Sequence, residues 1–461
     1  MTSKHHQTIL PMTLATILIV SVYAINAQLT NTAIIYSTGR ISTNKVWAKS
    51  GSAEDIQAAV DAVAAAGGGI VYVPAGNFTF DSERASMYVS GIGIIYYGVR
   101  VPGGVNVIGA GKDVTILQSE EPTNTARHIM FFCDGSNDKP IRISGITFVG
   151  YVVGNKDDGT YPFIHEGVRM WNCKKHRVDH CKFLNFPGSG VSASCYQSAS
   201  KRENGEDQYY WNWGVIDHCD FDNPYKANSG TWQYGYGVSL GGGGRGTAPQ
   251  AWLYNLSDIL GRWDIETNPV RCALYQWNAT KNAYDLVDPY GGKYFRWLVY
   301  IEDCTFRRCR HGIASNGGVF YVARHNYFEY NYPIGWPNVD VHGAQGNQGF
   351  WGGRGAEVYD NIINESEVAG GWGIDFRGGG GVVFNNTIIS CDYGVSMRYE
   401  GADTNTVCWV KDLWIWNNTF IDVTTQIYDP YNLYEEGVHY FLQPRPNYTP
   451  YPYPHSMTLQ A

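Results

Sequence analysis

The sequence predicts an all-β solenoid, a parallel β-helix closed at its start by one capping helix. Three observations predict it. The chain carries 54 glycines, 34 tyrosines and 15 tryptophans with only 16% charged residues, a mixture that suits strands and turns. A short motif recurs from residue 140 onward: apolar alternation, then Asn or Cys, one residue, then Phe or Ile. Helical periodicity is confined to a single segment.

Length and charge bound the rest. The 461 residues suffice for one large domain or two to three ordinary ones. A net charge of −8 argues against a nucleic-acid or anionic-membrane footprint for the protein as a whole.

At the start of the chain, Lys4 and two histidines precede the apolar run "ILPMTLATILIVSVYA", and "AINAQ" offers cleavage after Ala27. Residues 1–27 are therefore expected to be a signal peptide, and the protein secreted or held at the cell surface. A membrane partner follows only if that segment stays uncleaved as an anchor. No later stretch approaches the roughly 20 apolar residues that a spanning helix requires. Residues 28–49 form an N-terminal segment before the repeat domain.

The one helix reads "SAEDIQAAVDAVAAAGGG". Ser52 and Asp55 form a capping-box-like pair, Ile56, Ala59, Val60 and Val63 share a face, and Gly67 ends it. A lone amphipathic helix ahead of a long β chain predicts a plug over the first open β edge.

The β-helix domain is expected over residues 50–425, and from residue 140 its repeat reads "VDHCKF", "IDHCDF", "IEDCTF", "ARHNYF", "VYDNII", "VFNNTI" and "WIWNNTF". Its marked positions are Cys181, Cys219, Cys304, Asn326, Asn361, Asn386 and Asn418, at spacings of 38, 85, 22, 35, 25 and 32 residues. Irregular spacing above a base near the low twenties is what a solenoid with variable loops produces. Each copy is one coil, and asparagines stacked in a column can bond each other's amides. The three cysteines share that register, so either a bridge between coils or stacked buried thiols fits, the thiols preferred. The 85-residue gap holds an insertion at about 241–296, either a flap over the solenoid or a small β subdomain. Residues 426–461 read as a proline- and tyrosine-rich tail.

The stretches "SAEDIQAAVDAVAAAGGGIVYVPAGNFTF", "GVNVIGAGKDVTIL" and "ISGITF" resemble the pectate-lyase-like right-handed parallel β-helix superfamily, over about residues 50–425. The resemblance implies a right-handed coil and a polysaccharide partner. It leaves the reaction open, because that superfamily includes lyases, hydrolases, epimerases and non-catalytic adhesion proteins.

A second column lies eight to twelve residues after most ladder positions: "GVSAS", "GVSLG", "GIASN", "NVDVH", "GIDFR" and "GVSMR". The Val or Ile of each copy faces the core, so alternate residues face outward. The first outward position runs Ser192, Ser239, Ala314, Asp340, Asp375, Ser396, and the second Ser194, Gly241, Asn316, His342, Arg377, Arg398. With strands about 4.8 Å apart, Asp340, His342, Asp375, Arg377 and Arg398 gather within three coils. Elsewhere the same face defaults to serine, alanine and glycine.

Those groups suit proton chemistry on an anionic, uronate-containing glycan. His342 is the natural base or acid, because the intrinsic pKa of a histidine lies near neutrality. Arg377 and Arg398 can clamp a carboxylate with paired donors. Asp340 and Asp375 could jointly hold calcium, or one could orient the histidine. A plain salt-bridged ladder is the competing explanation, although like charges placed side by side disfavour it. Asp340, His342 and Asp375 also resemble the mannuronan epimerase arrangement, which implies catalytic roles for all three. Here Val341 stands where that family has proline, and Pro337 where it has tyrosine.

Asn316, Arg354, Arg169 and Trp171 are the further substrate-binding candidates, the last two as a distal sugar subsite. Glu357 and Tyr359 alternate with Arg354 and line the groove edge or form an ion pair, whereas His311 and His325 are expected to satisfy turns. Two functions remain: a polysaccharide lyase or epimerase (or a polygalacturonase-type hydrolase), or a non-catalytic carbohydrate-binding rod. An enzyme predicts a cluster roofed by loops; a rod predicts an open, flat face.

Overall fold

The computed structural model describes residues 44–459 apart from several internal stretches, among them 152–163, 224–234, 343–354 and 400–408. The expected signal peptide and Arg354 lie outside the described residues.

The coil has three sides. The first sheet has twelve strands, beginning with Lys45–Trp47 and Gly69–Val73 and ending with Val410–Trp416 and Tyr440–Phe441. The second has ten, from Gly76–Phe80 to Thr419–Ile421. The third has eleven, and its downstream half runs Tyr236–Gly243, Ile313–Ser315, Pro337–Val341, Trp372–Phe376, Tyr393–Met397 and Thr425–Tyr428. Within these sheets every pairing is parallel except Ala85–Val89 against Gly93–Pro102, and each strand pairs with its counterpart one coil away. This is the right-handed parallel β-helix that the sequence predicts, with the hand that parallel crossovers adopt.

Helix α1 (Ala53–Ala65) plugs the first coil. Ser52 accepts a hydrogen bond from the Asp55 amide at 3.2 Å, and Ala53, Ile56, Ala59, Val60 and Val63 are buried against the first strands. Losing such a cap costs about 1 kcal/mol.

Ladders hold the interior together. Phe148, Phe183, Phe221, Phe306 and Phe328 stack in order with centroids 4.8–5.2 Å apart. Asn326, Asn361, Asn386 and Asn418 pass side-chain hydrogen bonds down the coil at 2.9–3.0 Å. Upstream the same column holds Cys181, Cys219 and Cys304, which are buried free thiols. Burial pushes the Cys181 and Cys219 thiols well above the usual range, so they stay protonated.

The insertion contributes a small antiparallel sheet, Gln250–Leu253, Val270–Asn278, Ala283–Asp288 and Tyr294–Phe295. Leu256, Ile259 and Leu260 are buried in the main core cluster. Neighbouring Gly261 donates its amide to Glu357 at 2.7 Å, so this segment lies on the first sheet and not over the 340–398 cluster. The tail lies there too. Arg324 donates to the carbonyls of Tyr451 and Pro452 at 2.6 and 3.2 Å, and Arg177 to those of Met457 and Thr458 at 3.0 and 3.3 Å. The chain end is a strap running back across the coils.

Candidate functional site

Asp340 pairs with Asp375 and Asp375 with Ser396 in the third sheet, flanked by core-facing Val339, Ile374 and Val395. One residue past these strands the register continues. The amide of His342 donates to Ser315, that of Arg377 to Val341, and that of Arg398 to Phe376, at 2.9–3.1 Å. The five groups therefore share one outer face over three coils, as the alternation predicts.

The acids and bases are already paired. Arg377 forks onto Asp340, with Nε 2.9 Å from Oδ1 and Nη2 on Oδ2. Arg398 holds Asp375 one coil on, with Nε 2.8 Å from Oδ2 and Nη2 on that same oxygen. Ser396 donates to the other Asp375 oxygen at 2.6 Å. Each pair runs diagonally, from the first outward position of one coil to the second outward position of the next. This resolves the like-charge problem: a guanidinium, not an added cation, separates the two carboxylates.

Burial is uneven across the cluster. Asp340 and Asp375 are 0% exposed and Arg377 4%, while the Arg398 side chain is 20% exposed and His342 is half-buried. Burial works against the Asp340 carboxylate, but Arg377, His311 and His342 outweigh it and hold its pKa well below the usual range. For Asp375 burial wins over Arg398 and Arg377, with Asp340 adding to it, and the pKa rises.

The site has further neighbours, of which His311 was expected only to satisfy a turn and Trp372, Arg310 and Tyr434 were not singled out from sequence. His311 reaches the site: Nδ1 lies 2.6 Å from the Pro337 carbonyl and Nε2 3.8 Å from Asp340. Burial pushes its pKa down to about 3, so the ring is neutral. The Arg398 guanidinium lies 4.3 Å over the Trp372 ring, and the Arg310 guanidinium 4.0 Å over Trp336. The Tyr434 hydroxyl donates to the Arg398 carbonyl at 3.2 Å. Only the outward column is visible as a short-range pattern; Trp372 opens the strand that carries Asp375, and the other partners arrive from loops and the chain beyond the last coil.

Other expectations are corrected. Arg169 and Trp171 occupy the same outward columns upstream, yet Arg169 is 2% exposed and forks onto Glu166, itself paired with Arg127 at 2.8 Å. Trp171 belongs to a small buried cluster with Val89, Ile95, Ile129 and Phe132. Packing and ion pairing occupy both residues, leaving no sugar subsite there. Glu357 and Tyr359 lie on Gly355–Tyr359 of the first sheet, one side of the coil away from the groove. Asn316 remains on the third-sheet face, half-buried, with its amide donating to Leu240 at 2.7 Å.

Calcium does not fit the aspartate pair. Guanidinium donors engage both carboxylates, and a calcium ion needs six to eight oxygens with no competing cation among them. Among the described residues no group of three or more His, Cys, Asp or Glu side chains is placed to hold a metal.

No family model matches this chain, and no curated protein does. Solved structures that it resembles include a mannuronan C-5 epimerase A-module from Azotobacter vinelandii (13% identity, 87% of this chain and 100% of that one, TM-score 0.36). An alginate lyase from a Paenibacillus species matches at 11% identity over 86% of this chain and 99% of its own, TM-score 0.45. The catalytic unit of an α-1,3-glucanase from Streptomyces thermodiastaticus matches at 12% identity over 90% and 69%, TM-score 0.34. Likenesses at this level carry no argument, and the fold stands on its own strand pairings.

Proposed function

We propose that this protein is an exported polysaccharide lyase or epimerase that acts on a uronate-containing glycan along its third-sheet face. One observation carries the reading: His342, Arg377 and Arg398 follow one another at the same outward position of three successive coils. Three nitrogen-bearing groups about 4.8 Å apart, on a protein of net charge −8, suit a polymer with a carboxylate on its repeating unit.

The roles follow from exposure. His342 is the accessible proton-transfer group, taking the proton from the sugar carbon beside the carboxylate. Arg398, braced by Trp372 and Asp375, offers its exposed edge to the substrate carboxylate, and Arg377 adds positive field from below. Asp340 and Asp375 touch arginines, so they act as positioning residues for the two guanidiniums. Delivery of a proton from water to the opposite face of the sugar, while His342 keeps the one it took, yields the epimer. Expelling the glycosidic oxygen, which takes its proton from the His342 imidazolium or from water as the C–O bond breaks, yields an unsaturated sugar end.

The enclosure of both carboxylates favours a second reading, a non-catalytic glycan-binding rod. One experiment separates them. The protein is incubated with alginate, pectate and other polyuronates, with and without calcium, while ultraviolet absorbance follows unsaturated ends and NMR follows epimerised units. The lyase or epimerase reading expects turnover that is independent of calcium and falls at least ~100-fold in His342→Asn. Binding without turnover on every polymer would establish the rod, and full activity in His342→Asn would remove this site.

A further inference from the structure

The turn between the first and second sheets carries a motif that the proposed function does not use. Asn385 and Asn417 sit there, exposed, in left-handed backbone at φ 55° and 51°. Each opens the same three residues, Asn-Asn-Thr. The fold accounts for two of the three: asparagine tolerates the left-handed turn, and the middle Asn386 or Asn418 belongs to the buried ladder. Neither role requires the threonine that follows. Thr387 and Thr419 pair on the second sheet, on the side of the pleat opposite buried Ile388. Asn-x-Thr is the acceptor sequence for N-linked carbohydrate, and here its amide and hydroxyl both lie on the outside of the coil.

The same sequence stands at two places that the ladder does not explain. Asn77 lies in the strand Gly76–Phe80, although asparagine is a poor strand former. It is exposed, and so is Thr79 two residues on, so amide and hydroxyl share the outer face of the second sheet. Asn447 is exposed on the strap at φ 58°, with Thr449 exposed beyond it. Between them Tyr448 turns inward, its hydroxyl on Glu357 at 2.6 Å. No Asn-x-Ser/Thr sequence begins in a described strand of the third sheet. The one contact among these amides tolerates a sugar: Asn417 Nδ2 donates to Asn385 Oδ1 at 2.6 Å, and a glycosylated amide keeps one hydrogen for that bond.

We propose that Asn77, Asn385, Asn417 and Asn447 carry N-linked glycans, which cover the second side of the coil and the strap and leave the third-sheet face bare. The donor is an oligosaccharide carried on a polyprenyl pyrophosphate. The bond from Nδ2 to the anomeric carbon forms, and the bond from that carbon to the pyrophosphate oxygen breaks. The lipid pyrophosphate leaves, and the amide gives one proton to a base of the transferase. The inference rests on the export assumed in the proposed function and is independent of the chemistry at His342.

The test uses the full-length protein purified from the cells that make it and from their medium. A peptide N-glycosidase acting in heavy-oxygen water turns each glycosylated asparagine into a labelled aspartate, located by peptide mass spectrometry. Label is expected at all four positions in protein from the medium, and a position without it is struck from the set. Thr79→Val and Thr419→Val, made in the same cells, keep a strand-forming side chain and leave the asparagine in place. Each should lose the label at Asn77 or Asn417 alone, while label at the other three sites shows that the variant was exported. Exported protein unlabelled at all four would overturn the modification and leave export standing. Unlabelled protein found only inside the cells would overturn both. Label that persists in the valine variants, as spontaneous deamidation would give, would also overturn it.

Discussion

Two outer faces of this β-helix carry the same device for different ends. On the first sheet, Arg142 grips Asp179, Arg177 grips Asp217, and Arg324 grips Glu302, each fork spanning one coil. On the third sheet, Arg377 grips Asp340 and Arg398 grips Asp375. The first face is then sealed. The strap lays its carbonyls on Arg324 and Arg177, places the His455 amide on Glu302 at 2.9 Å, and sets the Tyr448 hydroxyl on Glu357 at 2.6 Å. The third face keeps an exposed edge of Arg398 and a half-buried His342. An arginine fork between coils is thus not by itself a sign of function. What distinguishes the candidate site is the part of the fork left facing outward.

Removing one partner from each face sharpens the contrast. Arg324 and Glu302 are both 0% exposed, so Arg324→Ala strands a buried carboxylate and frees the strap. A loss of about 3–5 kcal/mol is expected in urea unfolding, with new protease cleavage near residues 445–458. An intact strap in that variant would break the comparison. The pH dependence should differ from group to group as well, since each face holds carboxyl groups shifted in both directions. Burial raises the Glu357 pKa from 4.5 to about 7, against the hydrogen bonds from Tyr448 and Gly261. The folded state therefore binds this proton more tightly, and stability falls as pH rises from about 4.5 to 7, by about 3 kcal/mol. Glu357→Gln should flatten that slope, as read from unfolding midpoints across the range. Asp340 has the opposite sign. Its lowered pKa contributes stability above its ordinary value of 3.8 that is lost as pH falls below it.

On the third face, Arg398→Ala exposes the buried Asp375 to imperfect solvation and removes the outward guanidinium. Stability should drop by about 1–3 kcal/mol, and polyuronate affinity by roughly tenfold or more. Affinity electrophoresis on alginate and pectate measures the second effect. The smallest stability change belongs to His342→Asn, within about 0.5 kcal/mol, because its ring is half-buried and is not one of the fork partners. Paired with lost turnover, that near-neutral midpoint marks a functional residue. A large drop in stability would instead place His342 among the structural groups.

The sequence carried the architecture a long way because coils repeat locally. Asn326, Asn361 and Asn386 announce the ladder, Ser52 announces the helix start, and the register of Asp340 with Asp375 follows from alternation alone. The choice of partner was not legible. Asp340 faces Asp375 across the sheet, yet its ligand is Arg377, a diagonal neighbour that only side-chain length and direction select. Arg169 and Trp171 sit at the expected outward positions, but Glu166 and a hydrophobic cluster claim them. His311 was expected to satisfy a turn and does meet the Pro337 carbonyl, but its place beside Asp340 was not legible.

The strap shows the same limit at larger scale. "QPRPNYTPYPYP" reads as extended chain, and nothing local says that it doubles back to meet Arg324 and Arg177. The sequence by itself determined the coil, its core-facing residues and the outward columns, because those depend on period-two alternation and nearest-neighbour stacking. The tertiary structure alone decided which outward charges are buried, which pair diagonally and which face water, because burial depends on segments distant along the chain folding over one face and leaving another open.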